Sequence, residues 1–163
     1  MKIIKKDRNY ALKYVFFAIF LISCDQLTKY LFFNYDFKLK SLFYLQFNPL
    51  KNYGLIFGIG KNYFSSPLSI LLLFIFGISG GCYLYYYYNK NIGDSAWGDL
   101  LLVFIISGII GNISDRLILG YIRDFINFTL IGSVTINLSD IFLSVGLIIF
   151  IYCTIKKFKK RYR

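Results

Sequence analysis

Eight aspartates, with no glutamate and no histidine, set the chemistry open to this sequence. Without imidazole, histidine catalysis and most zinc sites are excluded. Cys24, Cys82 and Cys153 lie far apart in apolar runs. They read as small buried hydrophobes and offer neither metal spacing nor a disulfide framework. Asp25 and Lys29 are spaced to share a helix face, and a structural ion pair is the favoured reading. Asp115 and Arg116 adjoin at a helix end and are also read as a structural pair. Asp124 and Asp140 remain, with only Arg123 as a cation beside the first. Two carboxylates brought together away from water cannot both ionise easily, so one keeps a proton. Such a pair can take a proton from water and return one to a leaving amide nitrogen. That is peptide hydrolysis without histidine, serine, cysteine or metal. Capping or helix-end roles for the same two residues stay open on spacing alone. Asn112 and Asn137 suit either a substrate backbone or a helix end.

The elements that must position these groups are membrane spans. Of 163 residues, 57% are hydrophobic, too many for a soluble domain of this size. Spans are expected at about residues 11–33, 67–88, 98–117 and 138–156 of a single membrane domain. Their uncharged stretches in the third and fourth are 15 residues each, reaching about 22 Å of a core about 30 Å thick. Each must therefore borrow polar neighbours: Asp115 and Arg116 for the third, Asn137 and Asp140 for the fourth. The formal charge of +11 gathers at the two ends, in Lys2, Lys5, Lys6, Arg8 and Lys13, and in Lys156, Lys157, Lys159, Lys160, Arg161 and Arg163. That distribution argues for cytoplasmic termini and against a nucleic-acid partner. Asp25, Asp115, Asp124 and Asp140 then fall in one layer near the outer face. Residues 34–66 alternate apolar and polar side chains in part, predicting short strands on the membrane surface. The run Tyr85–Tyr88 reads as an interface marker, and Gly108 and Gly111 as sites of close helix packing. The fold class is thus an all-α membrane protein of four transmembrane helices, with a small extracytoplasmic β-rich segment between helices 1 and 2.

The motifs resemble those of lipoprotein signal peptidase (signal peptidase II) over nearly the whole chain. Asp25-Gln26-Leu27-Thr28-Lys29 is similar to that family's D-Q-x-[ST]-K. Asn52-Tyr53-Gly54-Leu55-Ile56-Phe57-Gly58 is similar to N-x-G-A-A-[FW]-[GS], and Gly111-Asn112-Ile113-Ser114-Asp115-Arg116 to G-N-x-x-D-R. Gly120 through Asp124-Phe125 is similar to G-x-V-x-D-F, and Asn137-Leu138-Ser139-Asp140 to F-N-x-A-D. The resemblance implies a catalytic dyad of Asp124 and Asp140. It implies that Asn52, Gly54, Asn112, Arg116 and Asn137 shape the site or hold substrate, and that Asp25, Lys29 and Asp115 support it. It implies no metal and no cofactor, a prolipoprotein substrate with a diacylglyceryl cysteine cut just before that cysteine, and inhibition by globomycin-type peptides. It places the protein in a bacterial cytoplasmic membrane among its lipids, as a multi-pass protein with both termini cytoplasmic and the active site near the outer face. Leu55 and Ile56 replace small alanines, Ile136 replaces phenylalanine and Ser139 replaces alanine, which bears on substrate and inhibitor preference.

Three rivals have sequence support. Leu21-Ile22-Ser23-Cys24 reads as a lipobox, so the chain would itself be a lipoprotein. Intramembrane Asp and Lys also suit a small proton-coupled transporter. A structural subunit explains four helices but not two aspartates without a cation.

Overall fold

The computed structural model describes residues 8–35, 44–54, 66–92, 95–131 and 134–161. In chain order these form α1 (Arg8–Asn34), β1 (Leu45–Asn52), α2 (Pro67–Asn91), α3 (Ser95–Leu119), β2 (Ile122–Phe128), a short 3-10 turn, β3 (Val134–Ile136) and α4 (Leu138–Arg161). The helices hold 24 to 27 residues. At 1.5 Å per residue that is about 36 to 40 Å, enough to cross a bilayer core. All four are apolar enough to do so. Of the polar residues expected to complete the third and fourth spans, Asp115, Arg116 and Asp140 are helical, whereas Asn137 stands just outside, before the first residue of α4.

Hydrophobicity points outward as well as inward. Phe16, Phe20, Leu68, Phe76 and Ile118 are all exposed, a surface suited to lipid rather than water. Helix α3 is the hub and packs on α1, α2 and α4. At Gly108, α4 comes so close that a Cβ would lie 2.5 Å from the Ser139 carbonyl oxygen and 2.6 Å from Leu143 Cγ. A small residue there lets the two backbones meet. A core of Tyr88, Leu101, Ile105, Ile149 and Cys153 fills the end of the bundle away from Asp124 and Asp140. There, Asp99 accepts hydrogen bonds from Tyr10 (2.9 Å) and Tyr85 (3.0 Å), tying α1, α2 and α3 together.

One sequence expectation changes here. Cys153 is buried and Cys24 half-buried, but Cys82 is exposed on α2, which packs chiefly on one neighbour. Within the tyrosine run, Tyr88 is fully buried in that core while Tyr86 is exposed, because a helix turns about 100° per residue.

The strand expected between helices 1 and 2 is β1. Its partners come from the later connection, giving an antiparallel sheet in the order β1-β2-β3. The register shifts between Phe47 and Leu50. Pro49 sits in that irregularity, on an edge strand, where a missing N–H is tolerated. Residues 38–43 of the alternating run, and the Leu55 and Ile56 replacements, lie outside the described residues.

Candidate active site

Local folding rules place the two aspartates on different elements, Asp124 on β2 and Asp140 at the start of α4. Helix α3 ends at Gly120, whose φ of 78° is the left-handed conformation favoured after a helix C-terminus. Gly120 N–H bonds back to the Arg116 carbonyl oxygen at 3.0 Å. The chain turns directly into β2, where alternation sends Asp124 and Arg123 to opposite faces. Asp140 is set by the start of α4. Asn137 is the cap: its Oδ1 accepts from Asp140 N at 3.1 Å, and Asp140 Oδ2 accepts from Asn137 N at 3.2 Å. This reciprocal pair is a capping box.

Asn137 joins the two carboxylates. Its side chain is fully buried, and Nδ2 donates to Asp124 Oδ1 at 2.6 Å and to Asn112 Oδ1 at 3.0 Å. Asn112 Nδ2 in turn donates to Asp140 Oδ1 at 2.8 Å. From the sheet, Asn52 Nδ2 donates to Asp124 Oδ2 at 3.0 Å, with its own Oδ1 accepting from Gly54 N at 2.9 Å. Each carboxylate thus receives two N–H donors. Among the described residues, neither forms an ion pair. Asp124 is 1% exposed, and its carboxyl is pushed up to about 7. Burial is the main cause and the charge of Asp140 the second, against the opposing hydrogen bonds of Asn52 and Asn137.

Beneath this pair lies a buried ionic network. Lys29 Nζ is 2.8 Å from Asp25 Oδ2 and 3.6 Å from Asp115 Oδ2, with all three side chains buried. The i, i+4 pairing of Asp25 with Lys29 is therefore formed. The Asp115–Arg116 and Arg123–Asp124 neighbour pairings are not: Asp115 takes Arg123, whose Nη2 lies 2.8 Å from Asp115 Oδ1. Arg123 adds its backbone N–H to Asp115 Oδ2 at 2.8 Å and Nη2 to Gln26 Oε1 at 2.8 Å. Adjacent residues on a helix or a strand diverge, which is why sequence neighbours made poor partners. Arg116, 6% exposed, instead donates from Nη2 to the Gly54 carbonyl oxygen. Its Nη1 has no hydrogen-bond partner among the described residues.

All ten residues singled out from sequence thus meet in one cluster. Gln26 and Arg123 were not singled out as site residues. Gln26 lay inside the first motif without a role; it donates to Asp25 Oδ2 at 3.2 Å and to the Gly111 carbonyl oxygen at 3.0 Å. Among the described residues, no group of three or more Cys and Asp side chains is arranged to hold a metal ion.

A family profile described as signal peptidase (SPase) II matches residues 17–156. The lipoprotein signal peptidase of Thermodesulfovibrio yellowstonii is 36% identical over 146 residues, covering 86% of this chain and 93% of that one. That of Rickettsia africae is 35% identical, covering 85% and 72%, and that of Clostridioides difficile 31% identical, covering 82% and 88%. A bacterial membrane enzyme solved by the in meso method at 2.3 Å resolution shares the fold, with a TM-score of 0.72 at 22% identity over 91% of this chain and 90% of that one. Nothing in these likenesses supports the transporter alternative. This four-helix membrane protein belongs to the signal peptidase II family of peptidases, which remove signal peptides from prolipoproteins.

Proposed function

We propose that the chain is an aspartic endopeptidase in which Asp124 and Asp140 form the catalytic dyad, and that it cuts prolipoproteins just before a diacylglyceryl-modified cysteine. The observation that carries this reading is the contrast between the acids of the cluster. Asp25 and Asp115 are ion-paired, whereas among the described residues Asp124 and Asp140 are held only by N–H donors. The charges support it further. Asp25, Asp115, Asp124 and Asp140 carry four negative charges when all are ionised; Lys29, Arg116 and Arg123 carry three positive ones. One proton on the Asp124–Asp140 pair brings the cluster to neutrality, the state that burial favours.

In this reaction the ionised aspartate removes a proton from a water as the water oxygen attacks the scissile carbonyl. The protonated aspartate gives its proton to the carbonyl oxygen, and the amide nitrogen takes one as the C–N bond breaks. Asn112 and Asn137 hold the carboxylates, and Asn52 and Gly54 fix the edge of the site. The open Nη1 of Arg116 offers a donor to substrate backbone. Asp25, Lys29 and Asp115 form the base of the site. The diacylglyceryl group keeps the substrate in the bilayer, from which it approaches the membrane-spanning helices laterally. The site faces the outer side of a bacterial cytoplasmic membrane, and both basic termini face the cytoplasm. Globomycin-type peptides occupy the same site. The family match over residues 17–156 supports this reading over the lipobox and structural-subunit alternatives.

The test is cleavage of a diacylglyceryl prolipoprotein in detergent by the parent, Asp124→Asn and Asp140→Asn, with equal folding checked by melting. Each variant is expected to lose several orders of magnitude in rate, and EDTA is expected to leave the parent unchanged. A folded variant that cuts nearly as well as the parent would refute the dyad.

A further inference from the structure

Three amides turn their N–H ends toward the two carboxylates, and in each the oxygen end is held by a donor. Backbone N–H groups hold two of them: Gly54 N for Asn52 Oδ1 and Asp140 N for Asn137 Oδ1. Asn112 differs. Its Oδ1 accepts from two side chains, Asn137 Nδ2 at 3.0 Å and Lys29 Nζ at 3.1 Å. A carboxamide can reverse about its last bond, exchanging oxygen for nitrogen at little steric cost. Reversed, Asn112 would set its NH2 against the Lys29 ammonium and the Asn137 NH2, and its oxygen against Asp140. An ammonium has donors only, so Lys29 opposes that orientation whatever its neighbours do. Its charge sits at 0% exposure, where water screens it least.

We propose that Lys29 is a positioning residue of the cleavage reaction, acting through Asn112 to keep the Asn112 Nδ2–H aimed at Asp140 Oδ1. Lys29 is then more than one half of the ion pair with Asp25: it sets the polarity of the amide that clamps one member of the dyad. This inference rests on reading Asp124 and Asp140 as that dyad.

The test uses the full-length protein and a diacylglyceryl prolipoprotein in detergent. Lys29→Met is combined with Asp25→Asn, so that one charge of each sign is removed together and the cluster keeps the parent's net charge; the parent is the reference, with Asp25→Asn run alone to read the acid's own share. Relative to the parent, kcat is expected to fall about 10- to 100-fold, the effect of losing a hydrogen bond made by a charged group. KM is expected to move less than about threefold, because Lys29 touches no substrate. The decisive arm repeats the Lys29 change in an Asn112→Ala background. There it should cost less than about threefold, because the group it acts through is gone. An equal loss in both backgrounds, or no loss with Asn112 present, overturns the proposal. If the Met variant unfolds, Lys29→Arg and Lys29→Gln take its place. Arginine has donors only and should retain the higher kcat, whereas glutamine lets the amide reverse; equal rates overturn the proposal. Asp124→Asn is run alongside. If it cuts, the dyad reading fails; if it is inactive while the Lys29 and Asn112 effects simply add, only this inference fails.

Discussion

Asp124→Asn should change stability in a pH-dependent way that activity alone would hide. The folded protein holds the Asp124 proton up to about 7, against a usual carboxyl value of 3.8. Because the folded value is raised, the folded state binds the proton more tightly than the unfolded chain. The stabilising contribution is complete below 3.8 and is lost as pH rises through about 7. A difference of about three units corresponds to about 4 kcal/mol between the two ends of that window. Asparagine carries no titrating proton, so the variant escapes the loss. It also turns one NH2 toward Asn52 or Asn137, each of which already donates to Asp124. That mismatch costs about 1–3 kcal/mol at every pH. The variant should therefore be less stable than the parent near pH 4, and equal or more stable by about 1–3 kcal/mol near pH 8. At about 2–4 °C per kcal/mol for a chain of this length, the crossover is readable as a melting-temperature difference of several degrees. The assay is thermal melting of both proteins in one detergent at constant ionic strength, from pH 4 to 8. A difference that stays flat across that range, or that moves against the variant as pH rises, would refute the protonated, buried Asp124.

Gly108→Ala should push α4 off α3, since the new Cβ would lie 2.5 Å from the Ser139 carbonyl oxygen. The expected cost is about 1–3 kcal/mol of stability, together with a drop in cleavage, because Ser139 precedes Asp140; unchanged melting and cleavage would contradict the close contact. Arg123→Met should remove the 2.8 Å guanidinium partner of Asp115 and leave that buried carboxylate with the backbone N–H of residue 123 and, as its one cation among the described residues, Lys29 3.6 Å away. The expected loss is about 3 kcal/mol in chemical denaturation, with a smaller effect on cleavage by the molecules still folded.

The long apolar runs made the four helices legible, and the shortfall of the third and fourth correctly drew Asp115, Arg116 and Asp140 into them. The convergence of Asp25, Asp115, Asp124 and Asp140 was legible too, because span direction alone assigns each to one end. The pairing within that layer was not. Arg116 and Arg123 each stand next to an aspartate in sequence but turn away from it, and their partners lie across a turn or in another element. The sheet was half legible: β1 shows its alternation locally, but its pairing with β2 joins Leu45 to Phe128 across about half of the chain. The capping box was available in Asn137-x-x-Asp140 and would have fixed the orientation of Asp140 from sequence. No sequence pattern reveals which way an amide faces, so the roles of Asn112 and Lys29 needed the geometry.

The most direct test of the central claim, that Asp124 and Asp140 share one proton during peptide hydrolysis, is the pH dependence of kcat/KM for a diacylglyceryl prolipoprotein. One acid and one base in the free enzyme give a bell-shaped profile, with an alkaline limb near the value of about 7 at which Asp124 loses its proton. A rate that rises steadily through the acidic and neutral range, with no alkaline limb, would contradict it.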